Sequence, residues 1–180
     1  MRPFIRFVSI MLGVLLLSAT HIGLAFILPF PWSKINIIFV LLIILLFWWD
    51  SGYIIWLAFF SHLLIELYTT TPFGVLLFSG TISFLLAFWF YRYFFTNRSW
   101  YAAATLGLLT ILIYRALYFF GLLSYKVLGL TTILPWQNIL LTSMWEIVLS
   151  VPAIMLIFFV CSRFSRRLNT SLNQSTLFKI

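Results

Sequence analysis

The sequence predicts an all-α, polytopic membrane protein: a bundle of six transmembrane helices with both termini in the cytoplasm. Two observations carry this. The chain is 64% apolar and 8% charged, whereas a soluble domain needs about 25% charged residues to cover its surface. Its eleven Lys and Arg residues are also sorted. With six spans, eight of them fall on one side, two on the other, and Arg115 lies inside a span. Basic loops stay on the cytoplasmic side, so the termini are placed there.

The spans follow in order. Span one covers about 4–28 and ends where Pro29, Pro31 and Ser33 interrupt the helix ladder. Arg2 and Arg6 before an apolar run resemble a signal peptide. The run over 7–28 is long enough to cross, and no small-x-small cleavage site stands out, so it reads as an uncleaved first helix. Spans two (35–49) and three (53–67) are short and joined by the tight turn Asp50-Ser51-Gly52. Fifteen residues reach only about 22 Å at 1.5 Å each, against a hydrocarbon core of about 30 Å. Either the bilayer thins around them or they form a hairpin that does not cross fully; both outcomes keep the parity of the other spans.

The polar loop 68–73 leads to span four (74–95). Span five covers 100–123 and span six 139–161, with a kink at Pro152. Residues 162–180 form a short basic cytoplasmic tail. Phe164, Leu168 and Leu172 alternate there with Arg163, Arg166 and Arg167 at helical spacing, as in a surface helix on anionic lipid. Trp32, Trp48, Trp49, Trp100 and Trp136 fall at span ends, where an indole keeps its ring in lipid and its N–H wet.

Several function classes recede at this point. The net charge is +8, but the cations sit at helix ends rather than on one face, which is orientation rather than nucleic-acid binding. Cys161 stands alone, so there is no internal disulfide and no Cys-rich metal site. It reads as a packing residue before a palmitoylation site. No HExxH, GxSxG, P-loop or glycine fingerprint occurs, and three acidic residues leave little room for acid–base pairs. No enzyme activity, cofactor or resident metal is expected.

Five ionisable residues lie within spans: His21, His62, Glu66, Arg115 and Glu146. Such residues pair with one another or serve a function. With the expected orientation all five fall in the outer half of the membrane, Arg115 and Glu146 about 10–12 Å inside their outer ends. Each sits on a stripe that points toward protein: Ser143, Glu146, Ser150 and Ala153; Ser18, His21 and Ala25; Ala58, His62 and Glu66; and Arg115 on nearly the face of Ala104. Ser79, Ser83 and Ala87 mark a small-residue seam on span four. The leading expectation is an Arg115–Glu146 pair that fixes helix register, with Glu66 or His21 as a candidate third member. The second is an outward-facing pocket for a small polar ligand or a proton. A metal held by His62, Glu66 and His21 is the weakest of the three.

The stretch 63–101 carries a resemblance. Glu66 ends a short span, a polar loop follows, and Thr71-Pro72-Phe73-Gly74 opens a long helix that ends near Arg98. This resembles the rod shape-determining MreD family, whose pattern is an Asp followed after seven residues by Gly, with Ser-Pro-Leu-Gly before the helix. Here Glu66 replaces the Asp, and Thr-Pro-Phe-Gly replaces Ser-Pro-Leu-Gly. About a quarter of the chain carries the resemblance well, and the rest agrees in hydropathy. It implies a non-catalytic inner-membrane scaffold of the bacterial elongation complex, with MreC, MreB, RodA and a penicillin-binding protein as partners. In architecture the chain is also similar to the substrate-binding S components of energy-coupling-factor transporters, which have about six spans and an outward-facing pocket.

Overall fold

The computed structural model describes residues 2–49, 51–95, 99–129 and 136–177, with side chains described over 8–163 of these. Asp50 and the side chains of Arg2, Arg6, Arg98, Phe164, Arg166, Arg167, Leu168, Leu172 and Lys179 lie outside the described residues. Six α-helices and no strand occur among the described residues: α1 Arg2–Ile27, α2 Ile37–Trp49, α3 Tyr53–Leu67, α4 Val75–Tyr93, α5 Trp100–Val127 and α6 Trp136–Leu177. A single 3-10 turn, Trp32–Lys34, lies between α1 and α2. Four helical stretches are long and apolar enough to cross a membrane: Val8–Ile27, Val75–Tyr93, Trp100–Val127 and Trp136–Arg163. The chain therefore has the character of a membrane protein.

Helices successive in the chain run in alternating directions, as pairs of contacts show. A Cβ on Gly80 of α4 would meet His62 of α3, and the Leu76 N–H of α4 bonds Glu66 further along α3, so α3 and α4 are antiparallel. Along α2 and α6 the contacts Asn36–Ser150 and Phe47–Phe158 run in the same order, so those two helices are parallel. One end of the bundle thus collects the last turns of α1, α3 and α5 and the first turns of α4 and α6; this is the upper end below. Lys34 and Lys126 belong to it, whereas Arg92 and Arg163 belong to the other end. Trp32, Trp48, Trp49 and Trp100 are exposed at or near helix ends.

The two short helices are the informative ones. All thirteen residues of α2 are apolar. A helix apolar all round belongs inside protein or lipid, and here α2 is inside protein, packed against α1, α3, α5 and α6. Ile38, Phe39, Leu42, Ile43 and Leu46 are essentially inaccessible. At about 20 Å this helix is too short to cross the hydrocarbon, but with neighbours on most sides it has little need to match lipid thickness. The hairpin of α2 and α3 is thus half core: α3 keeps Trp56 exposed and buries Ala58, Ser61, His62 and Glu66.

Small residues set the close approaches. A Cβ on Gly107 of α5 would overlap the Ile154 side chain of α6, and one on Gly13 of α1 would come to 3.1 Å from Leu57 of α3. Ser79, Ser83 and Ala87 form the expected buried seam on α4. Ala25 is exposed, so the expected α1 stripe ends at His21.

The helix ends differ from the sequence reading at α5 and α6. Ser99 caps α5, its hydroxyl accepting the Ala102 N–H, but the helix runs to Val127 rather than 123. α6 starts at Trp136 rather than 139 and its backbone stays helical to Leu177, so the tail continues the helix. Pro152 sits inside it, and the Val148 carbonyl consequently lacks a helical donor. The extra turns are built from Ser124, Tyr125, Lys126 and Gln137, polar residues that a span defined by apolar residues leaves out.

A candidate polar site at the start of the buried helix

α2 begins inside the bundle, and that placement creates a problem which the site solves. The first N–H groups of any helix lack helical acceptors. At an end buried in protein they need side-chain partners. Asn36 precedes α2 and is 9% exposed. Its Oδ1 accepts the Phe39 N–H at 3.3 Å, the usual N-cap bond. Its own N–H donates to Ser150 Oγ of α6 at 2.9 Å. Its Nδ2 donates to Glu146 Oε1 at 2.6 Å.

Glu146 is the centre of the site. Its residue exposure is 2%. Oε1 is held by Asn36, and Oε2 receives both Nε and Nη2 of Arg115 on α5. The carboxylate also faces the N-terminal end of α2, where the partial positive charge of the helix favours an anion. A buried charge is tolerated when it is paired and its lone pairs are occupied, and both conditions hold here. Arg115 spreads over two rings of its own helix, 5.4 Å from the Tyr114 centroid and 5.6 Å from that of Tyr118.

Depth needs a correction. Arg115 lies about 18 Å from the end of α5 and Glu146 about 15 Å from the start of α6, at 1.5 Å per residue. These exceed the expected 10–12 Å because both helices are longer than their apolar runs. The first connection dips to the same level: Phe30 packs edge-on against Trp145 at 5.7 Å. The upper turns of α5 and α6 therefore project beyond it. Phe119 and Trp136, 4.8 Å apart, join those turns, with Lys126 over the indole at 5.5 Å. Below them a half-open cleft of about 180 Å³ lies between the helices, lined by Arg115, Tyr118, Asn138, Ile139 and Thr142.

The remaining expected residues do not join the pair. Glu66 Oε1 accepts the Leu76 N–H at 3.0 Å, and so caps α4 across the turn. Its other oxygen is buried without a protein partner among the described residues. Thr71 exchanges a hydroxyl bond with Thr69 at 2.9 Å, and Tyr125 donates its phenol to the Phe73 carbonyl at 2.8 Å. Gly74 adopts φ +96°, and nothing lies within 4 Å of where its Cβ would be. Its role is therefore the left-handed turn and not a close approach of a neighbouring segment.

His62 is used by packing. Its Nδ1 bonds the Ala58 carbonyl at 2.8 Å, and its ring lies 5.3 Å from Phe39 and 6.1 Å from Tyr114 under Gly80. His21 Nδ1 and the neighbouring Ser18 hydroxyl have no protein partner among the described residues. No group of three metal-ligating side chains occurs among the described residues. The third member of the pair is Asn36. An Asn immediately before an apolar run is a helix-start signal, which a span drawn from 35 conceals.

No protein-family model matches this chain, and neither the curated proteins nor the solved structures give a match.

Proposed function

We propose that the chain is a non-catalytic membrane scaffold of the bacterial cell-elongation machinery, similar to MreD. In this reading all six helices belong to the inner-membrane domain and both termini are cytoplasmic. The protein helps position peptidoglycan synthesis and maintain rod shape, together with MreC, MreB, RodA and a penicillin-binding protein. The observation that carries the reading is the Glu66–Leu76 bond. The residues that resemble the family motif act as one unit, in which the acid ending a short helix caps the long helix that follows. The closed Arg115–Glu146–Asn36 arrangement also suits a scaffold, since its charges are satisfied within the chain.

The test is affinity capture of the tagged full chain from bacterial membranes in mild detergent. Recovery of MreC with the protein is the expected result. Recovery of a transporter ATPase core in its place overturns the scaffold reading and favours the second one, a substrate-binding S component. The polar cleft beside Arg115 is the feature that keeps this second reading in view.

A further inference from the structure

We infer that the cleft between α5 and α6 binds an uncharged, hydroxyl-rich group the size of one sugar ring, free or carried as a lipid headgroup. The inference does not depend on the scaffold reading. A protein that captures no elongation partner could still bind a sugar here, and the reverse also holds.

Size comes first. The half-open cleft of about 180 Å³ has room for a group the size of one sugar ring. Donor capacity comes next. A guanidinium carries five N–H groups in a fixed fork, and Glu146 Oε2 engages only Nε and Nη2. Arg115 keeps 18% of its side chain exposed where it lines the cleft. Donors are thus left facing outward, already oriented by a buried partner.

The opposite wall supplies the complement. Asn138 offers both an amide donor and a carbonyl acceptor, and Thr142 offers a hydroxyl that does both. Tyr118 and Ile139 add ring and aliphatic surface. A sugar ring presents the same mixture, with hydroxyls that donate and accept around C–H faces that pack on apolar groups.

Charge then narrows the class. Arg115 is already neutralised by Glu146, and among the described residues no other charged side chain lines the cleft. An anion would compete with Glu146 for the guanidinium and meet that carboxylate behind it. A cation would meet the guanidinium itself. A neutral ligand avoids both penalties. Position fits either source, because the cleft lies beneath the clasp of Trp136 on Phe119, in the turns of α5 and α6 that project beyond the first connection.

The experiment uses the full chain in phosphatidylcholine nanodiscs, free of sugar detergents. Saturation-transfer NMR with methyl β-glucoside tests the free source, and native mass spectrometry with added monoglucosyl diacylglycerol tests the lipid source. Binding of either probe is expected, and the probe that binds identifies the source. Thr142→Val and Asn138→Leu should each weaken it about tenfold, the loss of one hydrogen bond to a bound partner. Thr142→Ser should restore it, with thermal unfolding of all variants near that of the parent. If Asn138→Leu unfolds, the Val and Ser pair at position 142 decides alone. Silence with both probes overturns the inference. So does undiminished binding by Thr142→Val, or displacement of the sugar by equimolar acetate.

Discussion

Glu66 Oε1 accepts the Leu76 N–H at 3.0 Å, so the acid in the last turn of α3 caps the first turn of α4. One oxygen holds this bond while the other has no protein partner among the described residues. Glu66→Gln keeps the acceptor and should unfold within about 1 kcal/mol of the parent. Glu66→Leu removes it and should cost about 1–2 kcal/mol, the range for a lost N-cap. Thermal or denaturant unfolding in detergent reads the difference. Equal loss in both variants would mean that the bond contributes little.

The buried pair predicts a cycle with a remainder. Arg115→Leu should cost about 3–5 kcal/mol, because it leaves the Glu146 carboxylate buried alone; Glu146→Leu should cost less, because Arg115 keeps part of its side chain at the cleft. The double variant should recover most of that loss. It still orphans Asn36 Nδ2, which now bonds Glu146 Oε1, so about 1–3 kcal/mol should persist. Full recovery in the double variant would show that Asn36 is indifferent to the carboxylate.

Gly80 faces the His62 ring so closely that an added Cβ would overlap it. His62 is anchored through Ala58 and flanked by Phe39 and Tyr114, so it has little freedom to retreat. Gly80→Ala should destabilise by about 1–3 kcal/mol through overpacking. Adding His62→Ala should return part of that loss, whereas in the parent His62→Ala should be harmful. Strictly additive losses in unfolding measurements would sever the two residues.

At Gly74 the obstacle is conformational. With φ at +96° and open space around the missing Cβ, Ala and Leu should cost about the same, roughly 1–2 kcal/mol. Asn should cost less, because it tolerates left-handed backbone better. A Leu variant much worse than Ala would indicate a packing role instead.

Orientation is testable by cysteine labelling in a Cys161→Ser background. Single cysteines at Thr70 and Lys126 should react with an impermeant reagent added outside intact cells. Those at Ser99 and Asn173 should react only after the membrane is opened. Reaction at Ser99 from outside would invert the proposed arrangement.

What the sequence settled by itself follows from composition and period. Apolar runs with Pro and Gly punctuation place all six helices, most ends within a few residues. Helical spacing turns Glu146 with Ser150, and His62 with Glu66, toward protein, as burial bears out. Matching depth on antiparallel helices pairs Arg115 with Glu146. These are local or one-dimensional properties, and one chain's pattern contains them. Three-dimensional packing decided the rest. Hydropathy could not tell a short helix in thin lipid from one enclosed by four others, since both are apolar on every side. Once α2 lies inside, its buried start needs acceptors and donors; that need recruits Asn36 and Ser150 to a site built around Glu146. Likewise, only the fold shows that Glu66 caps α4 instead of joining Arg115, because a carboxylate at a helix end can serve either a nearby cation or the unpaired N–H groups of the next helix.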